Sequence, residues 1–421
     1  EPFINLYVCR TEDNIYYIIT TSLFASSWPS LESLINLALI LEIKMRGVYM
    51  RIPWSIPDIG SDEIVAIQEV LKSKWLSMGP KVKEFERRLC EYVGCKHAVM
   101  LNNGTSALLA TYLALNLGSN DYVIVPDYTF IATVNALIVL GVKPVVIDID
   151  PDTFNIQIEF LERVIEKVKD KIRAIVTVDV AGMPCDYNSI IKICDEYNVR
   201  IIEDAAEALG AEYKGKKIGS LGWPTIFSFH AAKQLTTIEG GAVTTNDLEL
   251  ASKIHLIRSH GEDPHRKYWH IVLGLNLRPM DLQATLGLVQ LEKIDKYIEN
   301  RQNIARLYSE ELSDYLLPQV VPNYVSRHPY MFYIARLRPI YVKLKNKLLD
   351  YLKGKGIDYR IPWPPIHMQP CCRGKVIIPI KPKNSEIVYN AAISLPLYNS
   401  MNVEEAEYVI KTIKEFFRTY R

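Results

Sequence analysis

Three short stretches of this chain hold residues whose types and spacing could do chemistry. Lys233 sits in "FSFHAAKQLTTIEGGAV", residues 227–243, between a strand-like run and a Gly-Gly pair. No acidic residue lies within four positions of it, so it is not part of a charged helix face. It is either a solvated loop lysine or an amine kept for its nitrogen chemistry. Asp204 ends the apolar run of "RIIEDAAEALGA". A carboxylate there needs a cation or a hydrogen-bond donor, and capping the next segment would also satisfy it. In "LNNGTSALLA" Gly104, Thr105 and Ser106 open a helix, where free N–H groups and two hydroxyls suit a phosphate. Taken alone, a plain N-cap is the simpler account of that turn. Together the three supply an amine, an acid and a phosphate cradle, the parts of a pyridoxal phosphate (PLP) site. The amine would form a Schiff base and the acid would keep the pyridine nitrogen protonated. Opposite charges about 4 Å apart attract by roughly 4 kcal/mol at an effective dielectric of about 20, enough to hold that proton.

These residues need a frame that brings them together. From residue 50 onward, helical and strand-like segments alternate. "SDEIVAIQEVLKS", with Ser61 as the expected N-cap, and "KVKEFERRLCEYVG" show helical spacing, and the latter stops at a glycine. "HAVMLN", "DYVIVPD", "KPVVIDID", "RAIVTVDV", "RIIED" and "TIFSFH" read as strands, separated by helices of about ten residues. That order predicts an α/β fold with a mostly parallel central sheet and helices on both faces. Ligands of such sheets bind beyond the carboxyl ends of the strands, where all three stretches fall. The texture changes after the long helix beginning at "PMDLQATLGLVQ". A large domain over residues 50–295 and a smaller C-terminal α+β domain over residues 296–421 are expected.

Composition excludes several classes. A net charge of +1 on 421 residues gives no basic field for nucleic acid. Seven cysteines without a CxxC pair argue against a disulfide framework or a zinc ribbon, and for a reducing, cytoplasmic setting. His260, His265 and His270 recur every five residues, which suits no helical metal pair, and no metal site is expected. Neither GxGxxG nor GxxxxGK[ST] occurs. Residues 1–49 are apolar and aromatic, but too interrupted for a membrane span and unlike a signal peptide; they read as an extension of unassigned fold.

Seven segments in order resemble the DegT/StrS-type sugar aminotransferases, fold-type I PLP enzymes that make amino sugars on nucleotide carriers. They are "SKWLSMGPKVKEFE", "NNGTSAL", "PDYTFIATVNA", "EDAAEALGA", "FSFHAAKQLTTIEGGAV", "LGLNLRPMDLQATLGLVQLEKID" and "ISLPLY". The resemblance implies that Lys233 carries the cofactor and Asp204 faces its ring nitrogen. Glu207, where the family often has glutamine, would lie near the phenolic oxygen, and Phe130 would stack on the ring. Thr105, Ser106 and Ser228 would hold the phosphate, joined by Asn276 from the neighbouring subunit of a homodimer. Read without that resemblance, Phe130 is a core residue, and Asn276 and Arg278 are loop polars. Arg360 and His367 fall in "YRIPWPPIHMQP", similar to the family's sugar-facing segment; Trp75, His230 and Arg278 complete the candidate substrate residues. Ile238 stands where the family commonly has glycine. The resemblance implies transfer of an amino group from an amino acid, glutamate first among donors, to a keto-sugar nucleotide. A dehydratase branch with histidine in place of the lysine, a PLP lyase and a non-catalytic sugar-nucleotide sensor are the alternatives on this fold.

Overall fold

The computed structural model describes residues 4–10, 15–21, 51–168 and 171–420. Residues Glu1–Met50 and Arg51–Arg421 form two separate compact units. In the first, Ile4–Arg10 pairs antiparallel with Ile15–Thr21, from Ile4 opposite Thr21 to Arg10 opposite Ile15. The rest of the segment expected as an extension lies outside the described residues.

The second unit is built on a seven-stranded sheet. Its order is His97–Leu101, Gly241–Thr245, Thr225–Ser228, Arg200–Asp204, Ile172–Val178, Tyr122–Pro126, Lys143–Ile147. The last five run parallel, whereas Gly241–Thr245 is antiparallel to both of its neighbours. The short runs of Val and Ile in these strands are buried on both faces, as a sheet covered by helices on each side requires. Phe85, Leu89, Leu161 and Ile190 belong to one core, and Leu108, Val134, Leu137 and Ile254 to another. Helix Pro80–Val93 begins with proline, whose fixed φ suits a first turn, and ends at Gly94 in the left-handed region. The first helix starts at Ser61, one residue earlier than expected: Gly60 rather than Ser61 is its N-cap, and Glu63 takes the Gly60 N–H at 2.9 Å.

Helix Asp281–Glu311 runs from this sheet to a three-stranded antiparallel sheet, Leu316–Pro318, Tyr333–Leu337 and Ala392–Leu395. Helix Val403–Thr419 closes that part, burying Ile413, Phe416 and Phe417 in a core with Ile304, Tyr308 and Leu395.

Candidate active site

Asp204 is the last residue of Arg200–Asp204 and pairs with Ile226 of the neighbouring parallel strand, which ends at Ser228. Two strand ends therefore deliver the carboxylate and the loop that carries Lys233 to the same edge. Asp204 is buried. Its Oδ2 accepts the Thr133 hydroxyl at 2.7 Å and its Oδ1 the Ala206 N–H at 3.2 Å. Burial pushes its carboxyl above the usual carboxylate range; the two donors and Lys233 pull it back, while Glu207 adds to the rise. A buried acid in that position gains from a cation.

The partner of Lys233 is distant in sequence. Its Nζ lies 3.2 Å from Glu207 Oε1, with only 13% of the lysine side chain and 6% of the glutamate side chain exposed. Glu207 Oε2 takes the backbone N–H of Ala181 at 2.8 Å, so the carboxylate is fixed on both oxygens. Ala181 holds φ at 58°, a left-handed conformation that turns its N–H toward the acid.

The loop from Phe229 to Gly240 leaves the sheet and returns. Phe229 N–H donates to Gly240 C=O at 2.8 Å and Thr237 N–H to Phe229 C=O at 2.9 Å, pinching the excursion that carries Lys233. The Gly-Gly pair has a steric reason. A Cβ on Gly241 would stand 2.5 Å from the Asn103 carbonyl carbon and 2.6 Å from Gly104 N, so the returning strand lies directly on the phosphate-type turn. There Asn103 caps the helix by accepting the Ser106 N–H at 2.8 Å. A Cβ on Gly104 would lie 3.1 Å from Ser228 Cβ, placing the serine beside the turn. Ile238 sits in this loop at φ 71°. That conformation costs a non-glycine residue about 1–2 kcal/mol. Ile238→Gly is therefore expected to stabilise the protein by about 0.5–1 kcal/mol after glycine's own entropy cost is subtracted. A lower denaturation midpoint would contradict this.

Other candidates are placed less uniformly. Phe130 is 54% exposed, with its ring 6.3 Å from that of Trp363; it is not the core residue its composition alone would suggest. Trp363 is 6.4 Å from Phe332, Phe332 is 4.8 Å from Trp54, and Lys233 Nζ lies 5.6 Å above the Phe332 ring. An aromatic wall thus runs from Phe130 to the lysine. Trp54, Phe332 and Trp363 were not singled out from sequence. Arg360 borders the same wall, 5.0 Å over Trp54. Asn276 and Arg278 flank Leu277, whose C=O accepts the Asn102 N–H at 3.0 Å next to the Gly104 turn. Asn276 is exposed, and among the described residues no hydrogen bond joins it to Lys233.

Trp75 lies over the Gly79 turn, and His230 is exposed, with Nδ1 accepting the Ala232 N–H. The His230 C=O accepts the Lys233 N–H at 2.8 Å, but among the described residues neither side chain makes a hydrogen bond or ion pair with the side chains of Lys233, Asp204 or Glu207. His367 has both ring nitrogens engaged, Nδ1 with Asp127 at 2.6 Å and Nε2 with Glu386 at 3.2 Å. The geometry gives it the work of tying residues 363–386 to the end of strand Tyr122–Pro126 rather than a free face for substrate.

Residues 57–414 match the DegT/DnrJ/EryC1/StrS aminotransferase family, and the chain belongs to it. It is 38% identical over 369 residues to the UDP-4-amino-4,6-dideoxy-N-acetyl-beta-L-altrosamine transaminase of Campylobacter jejuni, covering 86% of this chain and 96% of that one. It is 38% identical over 324 residues to the GDP-perosamine synthase of Caulobacter vibrioides, covering 76% and 86%. Helicobacter pylori PseC, an aminotransferase of pseudoaminic acid biosynthesis, superposes with a TM-score of 0.81 at 32% identity, over 88% of this chain and all of that one. The fold is that of the fold-type I PLP enzymes, and aminotransferases of this family use PLP.

The residues present fit that cofactor. The Asn103–Ser106 turn leaves the N–H groups of Gly104 and Thr105 for a phosphate, beside the Ser228 hydroxyl. The buried Asp204 carboxylate would gain the ring's cation, the exposed Phe130 ring would meet its face, and Lys233 would hold it covalently.

Proposed function

We propose that this enzyme moves an amino group from an amino acid, L-glutamate in the first instance, to the keto carbon of a nucleotide sugar, for amino-sugar and surface-polysaccharide biosynthesis. The observation that carries the reading is the Lys233–Glu207 pair at the edge where Asp204 and the Gly104 turn meet, in a chain similar over most of its length to transaminases of UDP- and GDP-linked sugars. Bound PLP supplies an electron sink for the carbon that loses its proton. With the cofactor bound, Asp204 would set its carboxylate against the ring nitrogen. Glu207 fixes Nζ of Lys233, and that amine would take the proton from the donor's Cα. The Phe332 ring, which adjoins Trp54 and Trp363, lies 5.6 Å from Nζ of Lys233, whose side chain is only 13% exposed. Lysine rather than histidine at position 233 supports transamination over dehydration. A panel of keto-sugar nucleotides offered to the amino-loaded enzyme tests the reading: one or more should return an amino sugar, and no turnover across UDP-, GDP- and dTDP-linked members would overturn it.

We further propose a cytoplasmic homodimer in which Asn276 of one subunit reaches the phosphate of the other. No helix among the described residues is long and apolar enough to cross a membrane. The exposed run Tyr268, Trp269, Ile271, Val272 and Leu273 just before Asn276 supports a covered face. Inactive Lys233→Ala and inactive Asn276→Asp chains should recover part of the activity when mixed, because one site of each mixed dimer is intact. Mixed dimers that form without any activity would assign Asn276 to its own subunit.

A further inference from the structure

Arg301, on helix Asp281–Glu311, is 1% exposed and pairs with no carboxylate among the described residues. Burying a guanidinium without an anion is costly, and burial pushes its pKa down to about 9. What it binds is a set of neutral acceptors: Asn399 Oδ1 at 2.7 Å through Nε, and the carbonyls of Met331, Tyr330 and Leu397 at 3.0–3.2 Å through one terminal nitrogen. These acceptors sit just before strand Tyr333–Leu337 and just after its partner Ala392–Leu395, so the cation clamps the end of that strand pair.

Two chains of hydrogen bonds lead from it to the same lysine. Along the first, Asn399 Nδ2 donates to the Gln234 carbonyl at 2.9 Å, and Gln234 is the residue after Lys233. The Gln234 side-chain amide, also buried, donates to the carbonyls of Glu207 and Leu209 at 3.2 and 3.1 Å. Along the second, Met331, whose carbonyl Arg301 binds, donates its own N–H to Ala181 C=O at 2.9 Å. Ala181 N–H then holds Glu207 Oε2, and Glu207 Oε1 holds Lys233 Nζ. The next residue, Phe332, presents the ring beneath Nζ.

We infer that Arg301, Asn399 and Gln234 are positioning residues of the reaction: a buried relay that sets the backbone of Lys233 through one arm and the carboxylate that orients its amine through the other. None of the three touches the reacting atoms. Their effect is on where the lysine nitrogen stands, and misplacement at the ångström scale is enough to slow a proton transfer. The inference rests on the proposed role of Lys233, but the relay can be judged apart from it.

Arg301 itself is a poor first target, since its loss orphans several buried carbonyls at once. Asn399→Asp is the discriminating variant. It keeps an acceptor for Arg301, with added charge attraction, and removes the donor to the Gln234 carbonyl. Hydrogen exchange on the cofactor-free protein should show the amides of residues 231–237 exchanging about 10-fold faster or more, while helix Val403–Thr419 keeps its protection. In the loaded enzyme kcat should fall about 10-fold, with KM for the amino donor within about 2-fold. Asn399→Ala should match it on both readouts. Unchanged exchange in residues 231–237 with wild-type kcat in a folded Asn399→Asp protein would overturn the relay. Faster exchange with unchanged kcat would likewise remove its role in the reaction. Should the wild type bind no cofactor through Lys233, the exchange arm still decides whether the relay holds the loop.

Discussion

Lys233→Ala is expected to abolish the visible absorbance of lysine-bound cofactor and to lower kcat by about 10⁵-fold or more, because both the covalent anchor and the proton carrier are lost. The substitution also leaves Glu207 with the Ala181 N–H as its remaining partner. Removing one member of a buried pair costs about 3 kcal/mol, so a lower melting temperature is expected alongside the lost activity. Glu207→Gln in the same chain separates the two effects. The double variant should recover most of the stability and none of the catalysis. A single Lys233→Ala variant that turns over at wild-type rate would remove the lysine from the mechanism.

Asp204→Asn should lower kcat by about 10³-fold, corresponding to roughly 4 kcal/mol of lost charge attraction at the ring nitrogen. Its effect on the cofactor-free protein has the opposite sign. The folded-state value of Asp204 is raised above its unfolded value, chiefly by burial. The folded chain therefore holds more protons than the unfolded chain between the two values, and stability falls as pH rises through that window. Asparagine mimics the protonated acid. The cofactor-free variant should melt above wild type at pH values beyond the window, and the gap should close as pH falls through it. Thermal melts across pH check this, and a variant less stable than wild type at every pH would contradict it.

What could be read from sequence divides along a physical line. Lys233, Asp204 and the Gly104 turn could be singled out because each lies at or just after the end of a strand-like run; each alone had an ordinary reading, and only their joint occurrence pointed to one site. Their meeting follows from a parallel sheet, which sets all its carboxyl ends on one edge. The antiparallel course of Gly241–Thr245 was not legible, since "GAVTT" gives no direction. Glu207 could be named from the resemblance, but not as the ion-pair partner of Lys233, because that contact spans 26 residues of chain. His367 looked like a substrate residue in its local segment; Asp127, 240 residues earlier, holds it. Trp54, Phe332 and Trp363 come from three remote segments and carry no local pattern. Arg301 reads as one more charge on a helix whose other charges are mostly solvated, and only tertiary packing makes it a buried cation.

In the proposed reaction, nitrogen passes from an amino acid to a sugar through this site. The direct measurement is to load the enzyme with PLP, supply L-glutamate carrying heavy nitrogen on its α-amino group together with a keto-sugar nucleotide accepted by the enzyme, and weigh both products. 2-Oxoglutarate and an amino-sugar nucleotide should form in equal amounts, with the heavy nitrogen in the sugar. A sugar product that has lost water or an oxygen and carries no heavy nitrogen would contradict it.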